Sequence, residues 1–189
     1  MKITMIAGSN REEATSTYLL QYIGRQLEAR HQCSVTLIQL RELPLPFFSP
    51  NVYESDANAR YLVQQVAEAD GLILASPEYH GSVSGMLKNA LDYMNGSHVS
   101  GKPVLSVSSA GGPVGVSSLS NLQTIVRNLH GVNCPEWISI GYGSHSFDSN
   151  GQPTDGGVRE RVEQAVGAFV ELTRLLTAGA AAAAYGRNA

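Results

Sequence analysis

The chain has 189 residues, 43% of them hydrophobic and 15% charged, which is typical of a folded domain rather than a disordered chain. Thirteen Lys and Arg against 16 Asp and Glu give a formal charge of -3 without a basic cluster, which argues against a nucleic-acid partner. No apolar run approaches the roughly 18 residues of a membrane span. The apolar run at residues 3–7 is too short for the apolar core of a secretory signal, so we expect a cytoplasmic protein.

The hydrophobic pattern alternates between strand and helix five times along the chain. Strands are predicted over residues 2–7, 34–40, 71–75, 102–108 and 132–140. Helices are predicted around 18–27, over 55–69 and 85–94, around 119–129 and around 162–172, with Thr15 or Ser16 as the cap of the first. Residues 1–178 are expected to form one domain, and the Ala-rich tail 179–189 to be a frayed helix or disordered.

This alternation predicts an α/β fold, in which helices cover both faces of a five-stranded parallel sheet as a three-layer sandwich. With the strand order 2-1-3-4-5, the switch point lies between strands one and three, where ligands bind in open α/β sheets. The loops after strands one, three and four are all unusual in composition, and we expect them to meet around one crevice.

The loop after the first strand carries Ser9 and Arg11, and Ser16 and Thr17 follow at the start of a helix. Hydroxyl groups, a guanidinium and free helix N–H groups are what a terminal phosphate needs. The loop matches neither the P-loop nor the dinucleotide pattern, so a mononucleotide is favoured.

The loop after the third strand runs from Pro77 to Gly81 and can present backbone groups to the edge of a flat ring. Glu78 is either a general base or, as we favour, a solvated turn residue. Tyr79 is suited to stack on a ring or to fill a gap below it. His80 is a candidate proton donor, and no second His or Cys at ligand spacing makes it a metal site.

The loop after the fourth strand contains Ser109, Gly111 and Gly112, whose small side chains let the backbone approach a ring closely. Cys33 and Cys134 lie too far apart for metal-ligand spacing and are expected to be buried or idle thiols in a reducing cytoplasm. No metal site is therefore predicted.

Three motifs together resemble the NAD(P)H-dependent FMN reductases, a flavodoxin-like family that includes azobenzene, quinone and chromate reductases. They are Gly8-Ser9-x-Arg11 with Ser16, then Ser76-Pro77-Glu78-Tyr79-x-Gly81-Ser82 with Gly85-x-Leu87-Lys88-Asn89-Ala90-Leu91-Asp92, and finally Ser109-Ala110-Gly111-Gly112 with Gly115. The second motif is the specific one, and the family commonly has Asn at the position of His80.

The resemblance implies that FMN is the cofactor and NAD(P)H the co-substrate. Its phosphate would be held by Ser9, Arg11, Ser16 and Thr17, and its ring by Pro77, Glu78, Tyr79, His80, Gly81, Ser109, Gly111 and Gly112. Hydride would pass from NAD(P)H to FMN, and two electrons to a quinone, azo compound, free flavin or metal oxyanion, by a ping-pong mechanism. The cofactor carries this chemistry, so no catalytic side chain is predicted.

The family also implies a homodimer or homotetramer formed across the helix 85–94. In such an assembly, our hypothesis is that the neighbour's site is walled by Phe47, Phe48 and Tyr53. Phe47 and Phe48 lie in a proline-rich loop that cannot be helical, and they could equally fix that loop to the core. Lys88 and Asp92 are spaced to pair on the helix.

The alternative function is a flavodoxin-type electron carrier, since the fold is the same. Arg11 in the phosphate loop, and the lack of a strongly acidic docking face, favour the enzyme. The sequence decides neither NADH against NADPH nor the physiological acceptor.

Overall fold

The computed structural model describes residues 1–50 and 55–186, and residues 180–186 by their backbone alone. The strands are β1 (Lys2–Ala7), β2 (Ser34–Gln39), β3 (Gly71–Pro77), β4 (Pro103–Ser109) and β5 (Val132–Ile140). All of their pairings are parallel, and the order in the sheet is β2-β1-β3-β4-β5. The predicted topology is confirmed.

Six helices occur within the described residues. They are α1 (Thr15–His31), α2 (Ala57–Glu68), α3 (Gly85–Asp92), α4 (Gly96–Val99), α5 (Val116–Asn128) and α6 (Gly156–Gly186). The predicted helices are all present, and α4 is an addition that is too short to show a hydrophobic period. The sequence feature that stabilises α4 is local, a capping box formed by Asn95 and His98.

The helices cover both faces of the sheet because successive strand residues point to opposite sides. Met5 lies in the core that β1 shares with α1 and α6, whereas Ile6 lies in the core with α2, α3 and α5. In β3, Ile73 lies in the first of these cores and Leu74 in the second. The three-layer arrangement is thereby confirmed, and β3 is buried along its whole length.

Parallel pairing brings the carboxyl ends of three strands to one edge. Ala7 of β1 lies opposite Ala75 of β3, and Pro77 of β3 lies opposite Ser109 of β4. The chain leaves β1 and β3 in opposite directions across the sheet, which opens a crevice between them. β3 extends two residues beyond the predicted end at Ala75, because Ser76 and Pro77 still pair with β4.

The C-terminal helix is longer than the sequence pattern indicates. α6 continues through Gly186, so the first part of the Ala-rich tail is helical. A domain end at residue 178 stays a prediction. No helix in the described part of the chain is both long and apolar enough to cross a membrane.

Candidate active site

A pocket of about 190 Å³ opens at the carboxyl edge of the sheet, where the loops after β1, β3 and β4 meet as predicted. The segment after β5 also contributes to it. The lining residues are Ser9, Arg11, Ala14, Thr15, Ser16, Pro77, Glu78, Tyr79, Ser109, Ala110, Gly111 and His145.

The α1 end of the pocket is the start of a helix without a side-chain cap. The N-cap residue is Ala14, so the prediction of Thr15 or Ser16 as the cap is wrong. The helix begins one residue before Ser16, and both hydroxyl residues lie inside its first turn. An uncapped helix start leaves N–H groups without an acceptor, and these N–H groups favour an anion.

Arg11 brings a positive charge to the same end of the pocket. Its backbone N–H donates to the Ser9 hydroxyl over 3.2 Å, which fixes the loop ahead of α1. Within residues 1–50 and 55–186, the Arg11 guanidinium makes no ion pair, whereas Arg41 nearby pairs with Glu12 and Glu42. The guanidinium is exposed and lines the pocket, so it is available to a ligand.

Two buried polar atoms in the lining have no hydrogen-bond partner among the described residues. They are Ser16 Oγ and His145 Nε2. Buried polar groups in folded proteins are nearly always paired, because leaving one unpaired costs about 1–3 kcal/mol. Two such atoms in one pocket, beside a free guanidinium, indicate a site built for a polar, anionic ligand.

The loop after β3 forms a tight turn at the mouth of the pocket. Tyr79 and Ser82 exchange two backbone hydrogen bonds of 3.0 Å. The two central residues, His80 and Gly81, have φ values of +52° and +74°. Positive φ at both positions is the type I′ turn, which favours Asn-Gly. The turn therefore gives a backbone reason for Asn to be common where this chain has His80.

Glu78 connects the loop after β3 to the start of α5. Its carboxylate accepts a 2.8 Å hydrogen bond from the backbone N–H of Ser118, in the first turn of α5. The N-cap of α5 is Gly115, which has no side chain to do this. Glu78 therefore caps a helix from a neighbouring loop, while its own N–H donates to the Ser109 carbonyl over 2.7 Å. Glu78 is therefore a turn residue as predicted, but its carboxylate caps α5 instead of being merely solvated.

The loop after β4 is open on one side and tightly packed on the other. A Cβ built on Gly111 or Gly112 would meet no atom within 4 Å, so both leave room for a ligand. Behind the loop, a Cβ on Gly141 would overlap the Pro113 carbonyl oxygen, and the Tyr142 N–H donates to the Gly112 carbonyl over 2.8 Å. Only glycine fits at position 141.

The loops after β1 and β3 are tied together by Ser84, the N-cap of α3. Its hydroxyl donates to the Gly8 carbonyl and accepts from the Leu87 N–H. Its own N–H donates to the Ser76 hydroxyl over 2.9 Å. The two walls of the crevice are thus fixed relative to each other before any ligand binds.

Eight of the twelve predicted cofactor residues line the pocket. They are Ser9, Arg11, Ser16, Pro77, Glu78, Tyr79, Ser109 and Gly111. Thr17, His80, Gly81 and Gly112 do not, and Thr17 is buried in α1. His145 was missed, because no motif or spacing in its own segment marks it.

The two phenylalanines of the proline-rich loop have different surroundings. Phe48 packs edge-on against Tyr93 with ring centroids 5.1 Å apart, and its N–H donates to Asn89 Oδ1 over 2.9 Å. Phe47 is 91% exposed. Phe48 therefore fixes the loop, whereas Phe47 is free to contact another molecule. The predicted role of Tyr53 lies outside the described residues.

Comparison with known proteins decides the family. Residues 1–145 match the model of the family described as NADPH-dependent FMN reductase. The chain belongs to the NADPH-dependent FMN reductase family. An FMN-dependent NADPH-azoreductase of Staphylococcus haemolyticus is 37% identical over 144 residues, which are 74% of this chain and 76% of that protein. A protein of the same name from Staphylococcus aureus strain USA300 is 35% identical over the same shares.

Solved structures support the fold of this FMN reductase. The flavoenzyme NAD(P)H:(acceptor) oxidoreductase FerB from Paracoccus denitrificans superposes with a TM-score of 0.79 at 21% identity, covering 92% of this chain and 97% of that one. A flavodoxin from the domain Archaea gives a TM-score of 0.63 at 13% identity, with 94% and 99% covered. The predicted flavodoxin-like fold is confirmed.

Membership in the FMN reductase family confirms the predicted enzyme class, an oxidoreductase with FMN as cofactor and NADPH as co-substrate. The uncapped start of α1, the Arg11 cation and the unpaired Ser16 hydroxyl fit the phosphate of FMN. The open backbone at Gly111 fits its flat ring. No group of three or more His, Cys, Asp or Glu side chains in the described ranges is placed to hold a metal ion.

Proposed function

We propose that this pocket binds FMN and that the protein passes hydride from NADPH to the flavin, and two electrons onward to a small acceptor, by a ping-pong mechanism. The observation that carries the proposal is the meeting of three loops around one pocket. One end offers a guanidinium, a buried hydroxyl and helix N–H groups, and the other offers backbone without side-chain bulk.

In the proposed site, the phosphate lies at the start of α1 against Ser9, Arg11 and Ser16. The flavin ring lies between Pro77–Tyr79 on one side and Ser109 with Gly111 on the other. Thr17, His80, Gly81 and Gly112 stay as predicted ligands at the margin of this pocket. Their side chains or backbone would have to approach the cofactor from outside the present lining.

Bound FMN supplies the hydride-accepting and electron-donating chemistry. The residues of the chain bind and orient the cofactor, and their backbone N–H groups favour negative charge on it. The Glu78 carboxylate accepts from the Ser118 N–H, so we assign it the role of a helix cap rather than that of a general base. The proposal therefore assigns no catalytic side chain.

In the proposed ping-pong order, NADPH and the acceptor approach the flavin in turn rather than together. Large side chains are exposed at this edge, namely Tyr79, Val114 and Tyr142 in the loops and Val116 at the start of α5. Such a rim suits flat aromatic acceptors. Azo compounds come first among them because relatives at 35–37% identity are named azoreductases; quinones, free flavin and metal oxyanions remain to be compared.

The proposal is tested by measuring NADPH oxidation by the FMN-loaded protein with each class of acceptor. Parallel lines in double-reciprocal plots at several acceptor concentrations are expected for the ping-pong order. Intersecting lines would show that both substrates bind together. If none of the acceptors supports NADPH oxidation, the electron-carrier alternative replaces the enzyme.

A homodimer or homotetramer in the cytoplasm completes the proposal. Exposed Phe47 borders an apolar groove formed with Leu43, Leu45 and Met86 beside α3. A second copy of the chain is the proposed occupant of this face. The Lys88–Asp92 pair, 2.6 Å apart on α3, would lie near it. Light scattering that shows a fully active monomer would exclude the assembly.

A further inference from the structure

His145 lies in the segment 141–156 between β5 and α6, far from the motifs that predicted the site. It lines the pocket, and its Nε2 atom is buried without a hydrogen-bond partner among the described residues. A nitrogen in this state has lost its contacts with water without a replacement in the protein, which is unfavourable unless a ligand supplies the partner.

The segment that carries His145 is held in place by contacts on both sides of it. On one side, the Tyr142 N–H donates to the Gly112 carbonyl over 2.8 Å. On the other side, Phe147 packs edge-on against Tyr18 with ring centroids 5.7 Å apart. Arg25 Nη2 donates to the Gly151 carbonyl over 2.7 Å. The position of the imidazole is therefore determined by packing against α1 and the β4 loop.

The Phe147–Tyr18 contact holds the segment that carries His145 against the first turns of α1. The second unpaired atom of the pocket, Ser16 Oγ, lies in the first of these turns, and Arg11 lies in the loop before it. An imidazole Nε2–H is a hydrogen-bond donor, a hydroxyl donates as well, and a guanidinium can only donate. Three donors in the lining of one pocket call for a ligand rich in oxygen acceptors.

We propose that His145 is a ligand of the ribityl phosphate arm of FMN, donating its Nε2–H to one of the oxygen atoms of that arm. The proposal rests on the proposed function, in which this pocket binds FMN. It adds a fourth wall to the site, since the segment after β5 joins the loops after β1, β3 and β4.

The test compares two substitutions in the apo-protein by titration with FMN, followed by flavin fluorescence. His145→Phe keeps the volume and removes the donor, and we expect it to raise the FMN Kd about tenfold or more. His145→Gln places an amide N–H near the position of Nε2, and we expect its Kd to stay within about threefold of the wild type. Lumiflavin, which has the ring without the arm, should bind His145→Phe and the wild type equally.

Ser149→Ala, an exposed change in the same segment, serves as the control and should leave both affinities unaltered. If His145→Phe lowers the melting temperature of the apo-protein, His145→Leu repeats the comparison with a smaller side chain. The inference is overturned if His145→Phe binds FMN as tightly as the wild type, or if His145→Gln loses as much FMN affinity as His145→Phe. It is also overturned if His145→Phe loses as much affinity for lumiflavin as for FMN. Failure of the wild type to bind FMN would instead refute the proposed function.

Discussion

The buried Ser16 hydroxyl permits a prediction in which stability and affinity change in opposite directions. Ser16 is fully buried, and its Oγ has no partner among the described residues. Burying an unpaired hydroxyl costs about 1–3 kcal/mol. Ser16→Ala removes that cost, and alanine also has the higher helix propensity within α1. We therefore expect the apo-protein to become more stable by about 1–3 kcal/mol.

A chain of this length gains about 2–4 °C in melting temperature for each kcal/mol, so the change is measurable by thermal unfolding without ligand. The same substitution removes the hydrogen bond that Ser16 is proposed to make with the FMN phosphate. Bonds to charged groups are worth about 1.5–3 kcal/mol, so we expect the FMN Kd to rise about 10- to 100-fold. Saturating FMN should then stabilise Ser16→Ala less than it stabilises the wild type.

Ser106 provides a matched control. Its hydroxyl is also buried and without a partner in the described part of the chain, but it lies within β4 and outside the pocket. Ser106→Ala should stabilise the apo-protein in the same way and leave the FMN Kd unchanged. A Ser16→Ala protein that is less stable without FMN, or that binds FMN as tightly as the wild type, would refute the reasoning.

Three further predictions concern the phosphate loop, the turn at the mouth and the thiols. Arg11→Ala should raise the FMN Kd about tenfold or more while leaving the apo melting temperature unchanged; equal affinity in titrations would mean that the phosphate lies elsewhere. His80→Asn should keep FMN bound and raise the melting temperature by about 1 °C, because Asn adopts positive φ more readily; loss of FMN would show that the imidazole itself is needed. Burial raises the pKa of the Cys33 and Cys134 thiols, so a thiol reagent at neutral pH should react only as the protein unfolds. Fast labelling of the native protein would contradict the burial of these thiols. Because the folded state favours the neutral thiols, the free energy of unfolding should fall as the pH rises above the ordinary thiol pKa of about 8.5.

The sheet could be predicted from the sequence because its signals are local and repeat along the chain. Each strand is a short apolar run between turn residues, and parallel connections allow few arrangements. Glu78 shows the limit of such signals. Its residue type indicates a turn or a base, but its role as the cap of α5 depends on where β4 and α5 lie relative to β3, which no local pattern records.

The wrong cap prediction for α1 and the missed His145 also come from contacts or geometry that no local pattern records. Thr15 and Ser16 are good caps by type, yet the helix begins before Ser16 because the chain reaches helical geometry at Thr15. His145 enters the pocket through the packing of Phe147 on Tyr18, a contact between residues far apart in the chain. The segment 141–156 is also rich in glycine and serine, but no motif in it marks His145 or records that contact.

The contact behind Gly141 limits how this protein can diversify. The Pro113 carbonyl lies where any side chain at position 141 would have to be. Selection for new acceptors can therefore vary the outer face of the loop around Val114 freely, but every surviving sequence must retain glycine at 141 or move the loop as a whole. A mutant library for altered acceptor preference should keep the codon for Gly141 fixed and randomise the residues around Val114.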